Sequence, residues 1–367
     1  MKKLGIYIHI PFCLSKCKYC GFYSTAGVEE NKQWEYCETL IEDIKEYGKT
    51  YAGGYTVDTI FIGGGTPSIL PGEYIGSILD AIKANFHVEQ NAEMTIESNP
   101  KTLTKEKLLQ YRQFGINRLS IGLQSFHGTM LKNLGRTHSV IDFCENYQLA
   151  RDCGFRNINV DLMFAIPDHT MEIWEDTLEK IIEMKPEHIS FYSLQIEEGT
   201  PFYDMYKQGL FDQISDELDR QMYHKAIEQL KAAGYLHYEI SNCALPGFEC
   251  KHNLKYWSME DYLGIGDCAS SYMNGIRFAE GPNPEYHENS FADETAEYVF
   301  TGLRKTEGIS LDAFAERFDR ELWDVFGDRR EELNEFFQRG LLIEDNRWLR
   351  LSEEGLDISN QIMAIFV

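Results

Sequence analysis

The chain has 367 residues, 43% hydrophobic and 13% aromatic, a globular composition long enough for one substantial catalytic body with a smaller appended domain. Its 59 acidic side chains against 35 basic ones give a net charge of -24, which repels polyphosphate and argues against nucleic acid as a partner. Nine cysteines, an odd number with three crowded into residues 13–20, do not read as a secreted disulfide framework and point to a reducing cytoplasm, and no apolar run is long enough to form an integral membrane segment.

Met1-Lys2-Lys3 before Leu4 to Ile10 has the outline of a signal peptide, but Tyr7 and His9 interrupt the apolar stretch and no small-residue cleavage site follows. The segment reads instead as a buried strand. Five more β-rich runs follow, at Asp58 to Gly63, Glu93 to Ser98, Arg118 to Gln124, Ile158 to Phe164 and His188 to Leu194. Amphipathic stretches separate them, at Asn31 to Thr50, Pro71 to Phe86, Thr104 to Phe114, Ile141 to Cys153, Met171 to Met184 and Ser215 to Ala233. Three of these end on Gly115, Gly154 and Gly234, as helix C-termini often do. Six βα units fall short of a closed eight-stranded barrel, so the fold class expected is α/β, a partial (β/α)6 TIM-like barrel with an open side.

The barrel is expected to occupy residues 1–235, with a connecting segment over 236–284 that ends at Gly281-Pro282-Asn283-Pro284. Ala292 to Thr306, Leu311 to Phe318 and Glu331 to Arg339 read as helices, Leu341 to Leu351 as a hairpin and Ser352 to Phe366 as a last helix. Residues 285–367 thus form a mostly helical, winged-helix-like domain.

Cys13, Cys17 and Cys20 stand at CxxxCxxC spacing just after the first strand. Three thiolates on one loop can hold a 4Fe-4S cube and leave one iron open to chelate S-adenosylmethionine, whereas structural zinc takes four ligands and no second CxxC or HxxxH pair is present. Gly63-Gly64-Gly65-Thr66-Pro67 follows the second strand, either as a plain glycine turn or as a place where a ligand meets the backbone; no Gly-Lys-Ser/Thr follows, which disfavours a nucleotide P-loop. Glu97, on the face of Thr95 and Asn99, and Gln124 end their strands facing the same mouth, and Arg136 lies in the loop beyond. Asp161, inside an apolar run, is either a structural ion-pair residue or a ligand for cofactor hydroxyls.

With these residues assembled, the chain resembles the radical S-adenosylmethionine superfamily, and within it the group of oxygen-independent coproporphyrinogen III dehydrogenase and the related heme chaperone HemW family. The segments that carry the likeness are Tyr7 to Cys13, Gly63 to Pro67, Arg118 to Phe126 and Asn159 to Met163. The resemblance implies that Tyr7, Tyr19, Gly64, Gly65, Thr66, Glu97, Gln124, Arg136 and Asp161 surround S-adenosylmethionine beside the three cluster cysteines. The dehydrogenase pattern carries a further cysteine two residues after the triplet and an N-terminal extension; Phe22 stands at that position here, and twelve residues precede Cys13. Both departures favour the chaperone branch, whose HNxxYW segment stands as His252-Asn253-Leu254-Lys255-Tyr256-Trp257.

The resemblance therefore implies heme as cargo, a heme-acceptor protein and an electron donor as partners, and a cytoplasmic location, with the oligomeric state open between monomer and dimer. His252 is either a heme ligand or a hydrogen-bonded core histidine; Cys250 and Cys268 are further thiols, which usually just pack. Cluster and heme are expected at separate sites.

Overall fold

The computed structural model describes residues 1–367. Six βα units run in the expected order: β1 (Lys2–Ile10), α1 (Glu30–Tyr51), β2 (Tyr55–Gly64), α2 (Gly72–Asn85), β3 (Val88–Ser98), α3 (Lys105–Gln113), β4 (Arg118–Gln124), α4 (Gly128–Leu134), α5 (Val140–Asp152), β5 (Ile158–Phe164), α6 (Met171–Met184), β6 (His188–Ser193), α7 (Pro201–Lys207) and α8 (Asp216–Ala232). Neighbouring strands from β1 to β6 pair in parallel.

Strand alternation sorts the side chains. Leu4, Ile6, Ile8 and Ile10 of β1 are fully buried, in one apolar core with Leu40 and Ile44 of α1 and Ile75, Leu79 and Ile82 of α2. The opposite face, at Tyr7 and His9 of β1, Thr95 and Glu97 of β3, Ser120 of β4 and Asn159 and Asp161 of β5, turns toward the barrel axis. The helices therefore wrap a hydrophobic layer around a polar interior. Thr104, Thr170 and Ser215 cap α3, α6 and α8 with their hydroxyls, and Gly115, Gly154 and Gly234 stand at positive φ just beyond the ends of α3, α5 and α8.

The segment read as a connector, together with Glu285–Glu288 from the stretch assigned to the C-terminal domain, adds strands at both edges of the sheet. β7 (Leu236–Glu239) and β8 (Asn242–Ala244) pair beyond β6. After α9 (Lys251–Trp257), β9 (Tyr262–Ile265) pairs in parallel with β1, and β10 (Ser270–Met273), β11 (Ile276–Ala279) and β12 (Glu285–Glu288) follow antiparallel. The result is a 12-stranded sheet in the order β12-β11-β10-β9-β1-β2-β3-β4-β5-β6-β8-β7. Strands of three or four residues are too short to show a period of two in sequence.

Beyond the sheet, α10 (Phe291–Gly302), α11 (Leu311–Phe318), short helical turns and α13 (Arg330–Gln338; α12 is Leu322–Val325) precede the hairpin Leu342–Asp345 and Trp348–Leu351. The single helix expected over Ser352 to Phe366 is two, Glu353–Leu356 and Ser359–Ala364. Between them Asp357 turns to the barrel helix α8, where its carboxylate meets His224 at 2.9 Å and Arg220 at 3.5 Å. No helix is long and apolar enough to cross a membrane.

Candidate functional site

The cysteine loop is tied to the barrel mouth by backbone hydrogen bonds. Gly65 N donates to Ile10 O at 2.8 Å and Thr66 N to Phe12 O at 2.7 Å, while Lys18 N reaches Leu134 O at 3.1 Å and Phe202 N reaches Lys18 O at 2.9 Å. Tyr19, between the second and third cysteine, packs into an apolar cluster with Met130, Leu134, Met163, Ile166 and Phe202. Burial raises its phenol above the usual range, an effect opposed by Arg136.

The glycines are required where they stand. A Cβ on Gly65 would lie 2.6 Å from Phe12 O, a backbone atom that cannot turn away, and Gly64 has φ 110° with the His9 ring 2.6 Å from where its Cβ would be. The Gly63–Pro67 turn is thereby pressed against the cysteine loop.

Side chains complete the link. Thr66 Oγ1 lies 3.7 Å from Cys13 Sγ and accepts from Asn99 Nδ2 at 2.8 Å; the Arg136 guanidinium donates to Asn99 Oδ1 at 2.5 Å and to Gly122 O at 2.6 Å, and approaches Cys17 Sγ at 3.5 Å. Arg136 Nε is buried with no partner, a donor left for a ligand. All three cysteines are free and partly exposed, and burial raises the Cys20 thiol. No trio of His, Cys, Asp or Glu converges closely enough to hold a single metal ion, whereas a four-iron cube takes its thiolates at its corners. These donors fit such a cluster.

Two carboxylates stand deeper in the mouth. Glu97 accepts from Gly64 N at 3.1 Å; burial, reinforced by the nearby Asp161, pushes its pKa up to about 8. Asp161 accepts from Asn159 Nδ2 at 2.7 Å and Ser120 Oγ at 3.3 Å, and burial raises it too. Gln124 is buried where β4 ends, at φ 75°. Tyr7 OH is 3.0 Å from His9 Nδ1, and His9 Nε2 is 3.0 Å from Tyr23 O. The cysteines, glycines, Thr66, Glu97, Gln124, Arg136 and Asp161 thus share the mouth. Asn99, the hub between Thr66 and Arg136, drew notice in sequence only as a face-mate of Glu97, and His9 only as a polar break in an apolar run.

His252 lies elsewhere. Helix α9 sits under the barrel, where Glu93 accepts from the backbone N–H groups of Lys251 and His252 at 3.2 and 3.1 Å, with Cys250 Sγ 3.6 Å away. The His252 ring stacks on Phe61, with Nδ1 2.8 Å from Thr59 Oγ1 and Nε2 2.8 Å from Tyr256 OH. Both nitrogens are occupied, and burial pushes its pKa down to about 3. Of the two readings given to His252, this geometry is that of a neutral core histidine. The end of the same helix differs, since Tyr256 and Trp257 line a cleft of about 590 Å³ that is also lined by Gly21 to Tyr23, the residues directly after Cys20. This cleft adjoins the cluster loop.

Residues 7–181 match the model of the Radical SAM superfamily and residues 291–358 that of the HemN C-terminal domain. Heme chaperone HemW of Lactococcus lactis is 34% identical over 100% of this chain and 98% of that protein, and Heme chaperone HemW of Escherichia coli is 40% identical over 99% and 98%. The mouse protein called radical S-adenosyl methionine domain-containing protein 1, mitochondrial, is 31% identical over 98% of this chain and 86% of its own length. Among solved structures, coproporphyrinogen III oxidase (HemN) from Escherichia coli superposes with a TM-score of 0.87 over 100% of this chain and 90% of that one, at 22% identity, a likeness of fold. Cysteine loop, glycine turn and polar mouth lie inside the radical SAM match, whose superfamily implies a 4Fe-4S cluster and S-adenosylmethionine, and the full-length relatives fix the branch: the chain belongs to the HemW family of radical SAM proteins.

Proposed function

We propose that the chain is a cytoplasmic heme chaperone, which holds a 4Fe-4S cluster on Cys13, Cys17 and Cys20, binds S-adenosylmethionine beside it, and carries heme to an acceptor protein. The reading rests on full-length relatives named heme chaperone at 34–40% identity. When bound, the cluster supplies one electron to S-adenosylmethionine. Around it the chain's own residues position the cofactor. Arg136, with Nε unpartnered, is placed to meet a carboxylate, and the Gly64–Gly65 backbone lets an amino group approach unhindered. Glu97 and Asp161 offer acceptors to ribose hydroxyls or to the sulfonium charge, with Tyr7, Tyr19 and Gln124 closing the walls.

A second reading, oxidative decarboxylation of coproporphyrinogen III, draws on the HemN-like fold. Phe22 weighs against it, because the position two residues after Cys20 carries an exposed ring in place of a thiol. The test is anaerobic incubation of cluster-loaded protein with coproporphyrinogen III, S-adenosylmethionine and dithionite, followed by porphyrin chromatography. Unchanged substrate is expected. Accumulation of protoporphyrinogen IX at catalytic turnover would replace the chaperone reading with the dehydrogenase one.

A further inference from the structure

A chain of hydrogen bonds crosses the polar face of the barrel interior and ends on Asp161. Ser120, Asn159 and His188 are register partners on the adjacent strands β4, β5 and β6, and all three are buried. Their side chains therefore form one row across the lumen, with Asp161 two residues beyond Asn159 on the same face. Asp161 is the one residue of its strand that is not fully buried. No ion pair holds its carboxylate, which takes its hydrogen bonds from the neutral donors Asn159 and Ser120.

The partners fix the direction of every bond. A carboxylate only accepts, so the Asn159 amide turns Nδ2 toward Asp161 Oδ1 at 2.7 Å and toward Ser120 Oγ at 2.8 Å, and Ser120 Oγ donates to Asp161 Oδ2 at 3.3 Å. Asn159 Oδ1 then faces His188 Nδ1 at 2.6 Å and takes its proton from there; the neighbouring Ser190 hydroxyl has its shorter contact with Asn242 Oδ1, 2.6 Å against 3.1 Å. With the proton on Nδ1, the bare Nε2 accepts from Tyr238 OH at 2.7 Å, and the phenol oxygen accepts from Cys250 N at 3.2 Å at the start of α9. Burial first, then the charge of Arg118, holds the His188 pKa well below its ordinary value, so the ring stays neutral and keeps one tautomer. From Cys250 N–H through Tyr238, His188 and Asn159, each group donates toward Asp161.

We propose that His188, acting through Asn159, is the positioning residue that holds Asp161 as an oriented acceptor for the two ribose hydroxyls of S-adenosylmethionine. The proposal rests on the reading of the mouth as the S-adenosylmethionine site and assigns Asp161 its part of that cofactor. Each carboxylate oxygen takes one bond from the chain and keeps a lone-pair site, which matches the two donors of a vicinal diol. Without the His188 proton, Asn159 Oδ1 loses its donor in a buried place, and the amide is free to turn away from Asp161.

The experiment uses full-length, cluster-loaded protein under anaerobic conditions and measures equilibrium binding of S-adenosylmethionine and of its 2′-deoxyribose analogue, with iron content and melting temperature taken for each variant. Wild type should prefer S-adenosylmethionine by roughly tenfold or more. His188→Leu should retain its iron and cut that preference to about twofold, by weakening S-adenosylmethionine and sparing the analogue. His188→Asn, which keeps a donor amide where Nδ1 stands, should restore most of the preference. Tyr238→Phe, a milder change that leaves the imidazole in place, should lower the preference about threefold and decides the matter if His188→Leu does not fold. An unchanged preference in these variants, or an equal loss for both ligands, would make the chain of bonds a structural one and overturn the proposal. A wild type that binds both ligands alike would overturn the assignment of Asp161 to the ribose, whereas a wild type that binds no S-adenosylmethionine would refute the reading of the mouth instead.

Discussion

Glu97 gives the sharpest electrostatic prediction. Its pKa is pushed from the ordinary 4.5 up to about 8, chiefly by burial, with Asp161 adding to the effect and Gly64 N–H opposing it. Between those two values the folded chain holds a proton at this position that the unfolded chain has released, so stability falls as pH rises from 4.5 to 8 and levels off above. The full cost of ionising this carboxyl in place is on the order of 5 kcal/mol. Glu97→Gln keeps an acceptor for Gly64 N–H and removes the charge. Denaturation of both proteins between pH 6 and 9 should therefore show the variant gaining on wild type by roughly 1.4 kcal/mol per pH unit up to about pH 8. Because S-adenosylmethionine is cationic at sulfur and Glu97 meets it best as carboxylate, cofactor affinity of the wild type should tighten over the same range while that of the variant stays flat. Parallel stability curves, or a wild-type affinity independent of pH, would refute the assignment of a protonated, cofactor-facing Glu97.

Replacing Cys13, Cys17 and Cys20 together by Ala should reduce reconstituted iron from about four per chain to background and remove the brown chromophore, read by iron analysis and absorbance. Gly65→Ala puts a Cβ against Phe12 O and strains the two backbone hydrogen bonds that join the glycine turn to the cysteine loop; at about 1 kcal/mol each, their loss should weaken both cluster retention and S-adenosylmethionine binding, measured by iron content and equilibrium binding. His252→Ala should leave the heme spectrum unchanged and cost roughly 2–4 kcal/mol in denaturation, through a cavity and two abandoned hydroxyls. Since burial holds His252 at a pKa of about 3, its neutral form also makes the wild type lose stability as pH falls below about 6.5, a loss the variant should lack.

The six βα units were legible because each carries a long signal: Arg118–Gln124, Ile158–Phe164 and Met171–Met184 have the bounds the sequence predicts. Side-chain alternation likewise put Glu97 on the face of Thr95 and Asn99, Asp161 stood out as a carboxylate in an apolar run, and CxxxCxxC marked the loop beside them. What stayed hidden depends on contacts between distant segments. The three- and four-residue strands of 236–288 are stabilised by pairing with one another in ladders that start at β1 and β6, a property of register and not of local pattern. Asn99 matters because Thr66 and Arg136 meet on it, and the role of α9 beneath the barrel depends on Glu93, 159 residues from His252. The HNxxYW motif was visible as a unit but divides in space, His252 into the core and Tyr256 with Trp257 into the cleft.

The proposed function joins heme carriage to a radical SAM site in one chain. Its most direct test is an anaerobic equilibrium titration of the full-length, cluster-loaded protein with heme, with iron-sulfur and heme content determined on the same sample after gel filtration. One heme per chain should be retained together with one intact 4Fe-4S cluster. Heme that elutes free of the chain, with the cluster intact, would contradict it.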